Sequence, residues 1–211
     1  MSLKDNSFKR KFVRQAETAT KSAAWQKGMV IKMIYNSKAA EEAAVLDTAR
    51  AMCAAARTAP KACGIDNLDT AILTGADKDR LSAEMRRIAQ TDGDQFFIRD
   101  AENVDLSAAV VLIGADEKPR GVDRVCSLCG WDGCADCVRH GGKCALTGID
   151  LGIAVGSAVS LAADRRVDNR VMFTAGKAAA ALGLLGTKKL IMGIPLSVSG
   201  KSPFFDRRFQ R

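Results

Sequence analysis

Five of the chain's seven cysteines fall within nineteen residues, in the run CSLCGWDGCADCVRHGGKC from Cys126 to Cys144. Their spacing is Cys126-x2-Cys129-x4-Cys134-x2-Cys137-x6-Cys144. Thiolates are soft ligands, which makes zinc and iron–sulfur the two chemistries to weigh. Zinc sites also use C-x2-C pairs, but they usually set the pairs far enough apart for two knuckles to face each other. Four intervening residues are tight for that. An iron–sulfur cube takes three ligands from a compact loop and a fourth from farther along the chain. Gly130 and Gly133 let such a loop wrap with its backbone N–H groups aimed at the sulfides. The pattern therefore favours iron–sulfur over zinc, with Cys126, Cys129 and Cys134 as three of the ligands. For the fourth, two positions fit the spacing equally. Cys137 lies one helical turn past Cys134, and Cys144 follows the flexible run His140-Gly141-Gly142.

The other reactive side chains carry less. His140 is the single histidine and reads as a loop residue beside the centre. Trp131 either shields the metal from water, which would affect its potential, or simply packs. Cys53 reads as a buried inert thiol, and Cys63 falls in a proline-containing loop near a candidate cleft. P-loop and dinucleotide-binding glycine patterns are both absent. The formal charge of +8 suits an acidic redox partner or an anionic cofactor. It is scattered over short runs such as Lys9-Arg10-Lys11, Arg165-Arg166, Lys188-Lys189 and Arg207-Arg208, so no nucleic-acid stripe stands out and nucleic acid is not expected. The opening MSLKDNSFKRKFVRQ has charge but no apolar run behind it, and no stretch reaches 18 apolar residues free of charge. Cytoplasm is the expected setting, with no membrane span, and there clustered cysteines act as ligands sooner than as disulfides.

At 211 residues, the expectation is one domain over 1–211, with the cysteine loop inserted at 120–148. Residues 1–24 read as polar and partly helical, with Phe8 and Phe12 as anchors, and 29–35 as a strand or the start of a helix. Glu41 to Arg57 places Val45, Ala49, Met52 and Ala56 at helical spacing, with two glutamates in its first turn and Pro60 as its stop. A strand is expected over 70–75, then a helix from an Asp77 cap to about Gln90. The continuous apolar run 108–115 reads as a central strand. Residues 150–163 and 171–185 read as small-residue helices and 189–197 as a strand. Gly152, Gly156 and Ser160 fall four apart, as if to let another backbone or a bound ring come close. This mixed order of elements is α+β.

Two family resemblances rest on these segments. The loop C-x2-C-G-x3-C resembles the four-iron motif of corrinoid iron–sulfur proteins and of electron-transport iron–sulfur subunits, where the fourth cysteine comes well after the third. That resemblance favours Cys144 over Cys137. Across roughly 45–208 the chain resembles the DUF2148-like family of ferredoxin-domain proteins, on ARTAPKACGID, the cysteine loop, DLGIAVGSAVSLA, VDNRVMFTAGKAA and GIPLSVSGKSPFFDR. More distantly, AARTAPKACG, DLGIAVGSAVSLAA and AAALGLLGTKKLIMGIPLS are similar to segments of nitroreductases. The fold this implies is α+β with a mixed or antiparallel sheet and packed helices, often dimeric, with FMN near the subunit interface. It makes FMN a candidate cofactor and puts Ala59, Pro60 and Lys61 near the flavin. Gly193 and Ile194 would approach its phosphate, with Lys201 or Arg207 as anion partners. The chain departs from that pattern in FKRKFVR, in GIDN and in the cysteine loop itself.

The resulting expectation is an iron–sulfur redox protein, a [4Fe–4S] electron carrier or an oxidoreductase that also uses FMN. It would exchange electrons with a partner protein and could assemble as a homodimer. The alternative is a structural zinc protein, or an interaction module with a degenerate flavin pocket.

Overall fold

The structure is a computed structural model, and it describes residues 34–205. The chain divides into two units, Met1–Ser37 and Lys38–Arg211, and the elements below belong to the second apart from the first residue of α1. The expectations for Phe8, Phe12, the first basic run, most of 29–35 and Arg207 lie outside the described residues.

Four antiparallel strands form one sheet in the order β1-β2-β4-β3. They are β1 (Leu68–Leu73), β2 (Ala109–Ala115), β3 (Asp168–Asn169) and β4 (Leu190–Ser197). All seven residues of β2 are buried, because the strand is covered on both faces. Side chains alternate across a strand, and β2 shows the consequence. Ala109, Val111, Ile113 and Ala115 pack with α1 (Ser37–Thr58) and a long helix over Ala145–Asp164, whereas Val110 and Leu112 join the helices of the opposite face. Those helices are α2 (Gly75–Asp92), α3 (Gln95–Asp105) and one over Phe173–Ala181. With α4 at Cys134–Arg139, the long helix is α5 and the last is α6.

The helix ends differ from the sequence reading in instructive ways. α1 begins at Ser37, so Glu41 and Glu42 fall past its first turn, which holds no acidic residue. Thr74, in extended conformation, occupies the N-cap of α2, and Asp77 sits in the first turn, where it favours the dipole without capping. α2 ends at Gly93 (φ 79°), whose N–H bonds to Ala89 O at 2.8 Å. α3 had no counterpart in the sequence reading. Its Phe97, Ala101 and Val104 are buried at helical spacing, and the Lys78 ammonium donates to the carbonyls of Val104 and Asp105 at its C-terminus, both at 3.3 Å. α6 is shorter than expected, giving way to turns around Gly183 and Gly186, both at positive φ.

α6 lies directly on the backbone of β4. A Cβ at Gly176 would stand 1.7 Å from Ile191 O, and one at Gly193 would stand 2.6 Å from Ala175 Cβ. Gly193 therefore gives room to a helix, while Ile194, fully buried, points into the opposite core. Packing is the role the structure shows for these two residues. On α5 the reverse holds. Gly148, Gly152 and Gly156 face open space, with nothing within 4 Å of an added Cβ, so the close approach expected there is not made within the described residues. α5 is also long and apolar enough to cross a membrane by length and composition. Here, however, Leu151, Ala154, Val155, Ala158 and Ala162 pack against the sheet.

Candidate metal centre

Between β2 and α5 the chain leaves the body and folds into a loop with two short helical turns, Asp123–Val125 and α4. Backbone bends concentrate here: Asp123 (φ 60°), Ser127 (φ 44°), Gly130 (φ 81°) and Gly133 (φ 94°) all lie at positive φ. Such conformations cost free energy at non-glycine residues. They turn the chain tightly enough that Cys126, Cys129, Cys134, Cys137 and Cys144 all line one cavity, closed by Pro119, Arg120, Trp131 and Leu146. Among the described residues, no three His, Cys, Asp or Glu side chains meet at the spacing needed to ligate one metal ion. In a four-iron cube each thiolate binds its own iron, so the ligands stand in a wider ring than those of a single ion.

Asp123 sets Cys134 in place by a reciprocal pair of bonds. The Cys134 N–H donates to Asp123 Oδ1 at 3.0 Å, and the Asp123 N–H donates to Cys134 Sγ at 3.3 Å. Gly133 is required beside this clasp, since a Cβ there would lie 2.5 Å from Asp123 Oδ1. Cys144 occupies the N-cap position of α5. Burial works against its thiolate, but the backbone N–H groups of Thr147, Arg120 and Leu146 outweigh that and hold the thiol below its ordinary pKa. Cys137 is 1% exposed. Burial pushes its thiol up, and Cys129, Cys144 and Cys134 beside it push the same way. Trp131 and His140 stack nearly parallel, ring centroids 4.4 Å apart, and the His140 Nδ1 lies 3.0 Å from Asp136 O. Trp131 lines the cavity, and His140 stacks on that wall residue.

One buried ion pair ties the loop to the body. Arg120 donates from Nε (3.0 Å) and Nη2 (2.9 Å) to Asp150 Oδ2, and each side chain is 2% exposed. The second oxygen, Asp150 Oδ1, accepts the Ala62 N–H at 2.8 Å. The loop after α1 and the wall of the cysteine cavity are thus held by one carboxylate. Sequence reasoning missed Arg120, Asp123 and Asp150. The one available signal was the position of Asp150 as an acid near the start of a largely apolar helix.

The remaining candidates lie elsewhere. Pro60 is exposed next to this loop. Lys61 turns its ammonium onto the carbonyls of Arg57 and Ala59 (the latter at 2.8 Å), closing the C-terminal end of α1. Cys63, at φ 58°, is exposed. Burial raises the pKa of Cys53, in α1. Lys201 is exposed after β4, and its carbonyl accepts the Ser199 hydroxyl at 2.7 Å. The structure therefore brings the four expected ligands together with Cys137, and leaves Gly193, Ile194 and Lys201 outside that cavity's lining.

Comparisons with known proteins bear on this arrangement. A family described as "Uncharacterized protein containing a ferredoxin domain (DUF2148)" matches residues 140–207, from His140 and Cys144 through β4. An uncharacterized protein of Archaeoglobus fulgidus is 40% identical over 183 residues, covering 83% of this chain and 98% of that relative. Among solved structures, the nitroreductase CinD of Lactococcus lactis, in complex with chloramphenicol, superposes with a TM-score of 0.53 at 16% identity, over 85% of this chain and 86% of that one. A nitroreductase with bound FMN from Desulfitobacterium hafniense gives 0.52 at 12% identity, over 74% and 78%. At these identities the solved structures speak to fold alone: helices packed on an antiparallel sheet, as in nitroreductases. The chain belongs to the DUF2148 family of ferredoxin-domain proteins.

Proposed function

We propose that the chain is an iron–sulfur redox protein, with a [4Fe–4S] cluster held by Cys126, Cys129, Cys134 and Cys144. The observation that carries this reading is the convergence of the cysteine thiols on one cavity, in a protein of a ferredoxin-domain family. When bound, the cluster supplies one-electron transfer. The chain's own residues do the rest. Asp123 fixes Cys134, the first turn of α5 favours the Cys144 thiolate, and the Trp131–His140 stack limits access of water to one side. A single zinc is the weaker reading, because the four residues between the two C-x2-C pairs are tight for two facing zinc knuckles.

The fold likeness to nitroreductases, one of them with FMN bound, supports flavin as a second cofactor beside the Pro60–Lys61 loop. Iron, acid-labile sulfide and flavin are to be measured on anaerobically purified protein. About four irons and four sulfides per chain, with broad absorbance near 400 nm that dithionite bleaches, is the expected result. One equivalent of zinc and no sulfide would sink it. Flavin released by acid would separate an FMN oxidoreductase from a plain electron carrier.

The outward face of α5, with Gly148, Gly152 and Gly156 open and Ile149 and Ile153 exposed, supports a homodimer seam. Light scattering should give twice the chain mass, and Gly152→Leu should reduce it to one.

A further inference from the structure

Five thiols surround a site where a four-iron cube uses about four. A cysteine buried for packing alone behaves as a small hydrophobe among apolar side chains. Cys137 does not have those surroundings, since it lies beside Cys129, Cys134 and Cys144 and lines the same cavity. α4 places it three residues after Cys134, so the two thiols share one helix face. The segment leading on to Cys144 is pressed against it: the Gly142 N–H donates to Cys137 O at 2.7 Å, and a Cβ at Gly142 would lie 2.9 Å from Cys137 Sγ and 2.5 Å from Trp131 Nε1. The segment leading to Cys144 is therefore packed on Cys137 by a glycine contact, and both cysteines line one cavity.

We infer that Cys137 and Cys144 are alternative ligands of the same iron, in a cluster whose other three irons are held by Cys126, Cys129 and Cys134. This rests on the iron–sulfur reading above. The exchange is balanced without any redox step. One iron–sulfur bond forms to Cys137 as that to Cys144 breaks, and the proton lost by the incoming thiol is taken up by the outgoing one. The two states differ in what they tie together. Ligation by Cys137 keeps every ligand within 126–137, whereas ligation by Cys144 fastens the cluster to the first turn of α5 and, through Arg120 and Asp150, to the loop after α1.

The full chain, as wild type, Cys137→Ala, Cys144→Ala and the double variant, is reconstituted anaerobically with iron and sulfide. Iron and sulfide are counted per folded chain, and electron paramagnetic resonance is recorded before and after reduction. Each single variant should keep about four irons, with reduced spectra that differ from each other. The double variant should lose one iron and show the oxidised three-iron signal. If Cys144→Ala alone falls to three irons while Cys137→Ala is unchanged, or the reverse, the inference is overturned. Should alanine at 137 leave the chain unfolded by circular dichroism, Cys137→Ser is read by the same criteria. Wild-type protein that takes up iron but no sulfide overturns the iron–sulfur reading itself, and is told apart because it appears before any substitution.

Discussion

The sheet with its helices and the cysteine loop are held by different forces. In the body, β2 contributes no exposed residue, and apolar side chains from five helices close over both faces. In the loop, Cys137 is the one buried hydrophobic residue over 120–143. Val125, Leu128 and Val138 are 88%, 60% and 60% exposed there, and the order comes from backbone bends and a few polar bonds. Apolar burial at about 25 cal/mol per Å² can stabilise the first region unaided. The second lacks that resource and stands in the position of small metal domains, whose binding free energy is also folding free energy.

The largest effect should come from breaking the link between the two. Asp150→Ala leaves the Arg120 guanidinium buried without a partner and should cost about 3–5 kcal/mol in urea denaturation. A paired Arg120→Met, Asp150→Leu swap should recover most of it, and a cost under about 1 kcal/mol for the single change would show that the ion pair does not bind loop to body. Next, removal of the proposed cluster should abolish hydrogen-exchange protection over 123–144 while leaving the amides of β2 protected. Equal loss in both regions would contradict their independence. Gly133→Ala should strain the Asp123–Cys134 clasp by about 1–3 kcal/mol, seen as poor iron uptake with little change in the melting of the body. The smallest effect is electrostatic and confined to the body. Burial disfavours the Asp105 carboxylate, but Arg86 and Ser82 outweigh it and hold its pKa below the ordinary value. Its contribution is therefore full above a pH of about 4 and is lost as pH falls through the depressed folded value. Asp105→Asn should flatten the acid limb of a stability–pH curve by well under 1 kcal/mol, because exposed pairs of this kind contribute roughly 0–1 kcal/mol.

The regions differ in the same way in how far the sequence disclosed them. β2 was legible because a strand covered on both faces must be apolar throughout, and α5 because its small residues recur without a breaker. The gathering of the five clustered cysteines at one cavity was legible from their spacing. α3 was not, since Asp100 and Asn103 are buried polar residues that blur its apolar stripe, and Asp100 is satisfied partly by its neighbour Arg99 and partly across the fold, by the Thr174 hydroxyl at 2.8 Å. Gly193 was singled out by family resemblance alone, and the close neighbour that a strand glycine marks is seen in the structure to be α6. Arg120 and Asp123 were two charges in a charged loop until their partners, 30 and 11 residues away, gave them roles.

Asp150 has a consequence that reaches past stability. One oxygen serves the cysteine cavity through Arg120, and the other serves the loop after α1 through Ala62. Two segments that draw on one acceptor group are thermodynamically linked. A displacement of Arg120 changes the free energy of the bond to Ala62, and by reciprocity a displacement at Ala62 acts back on Arg120 with the same magnitude.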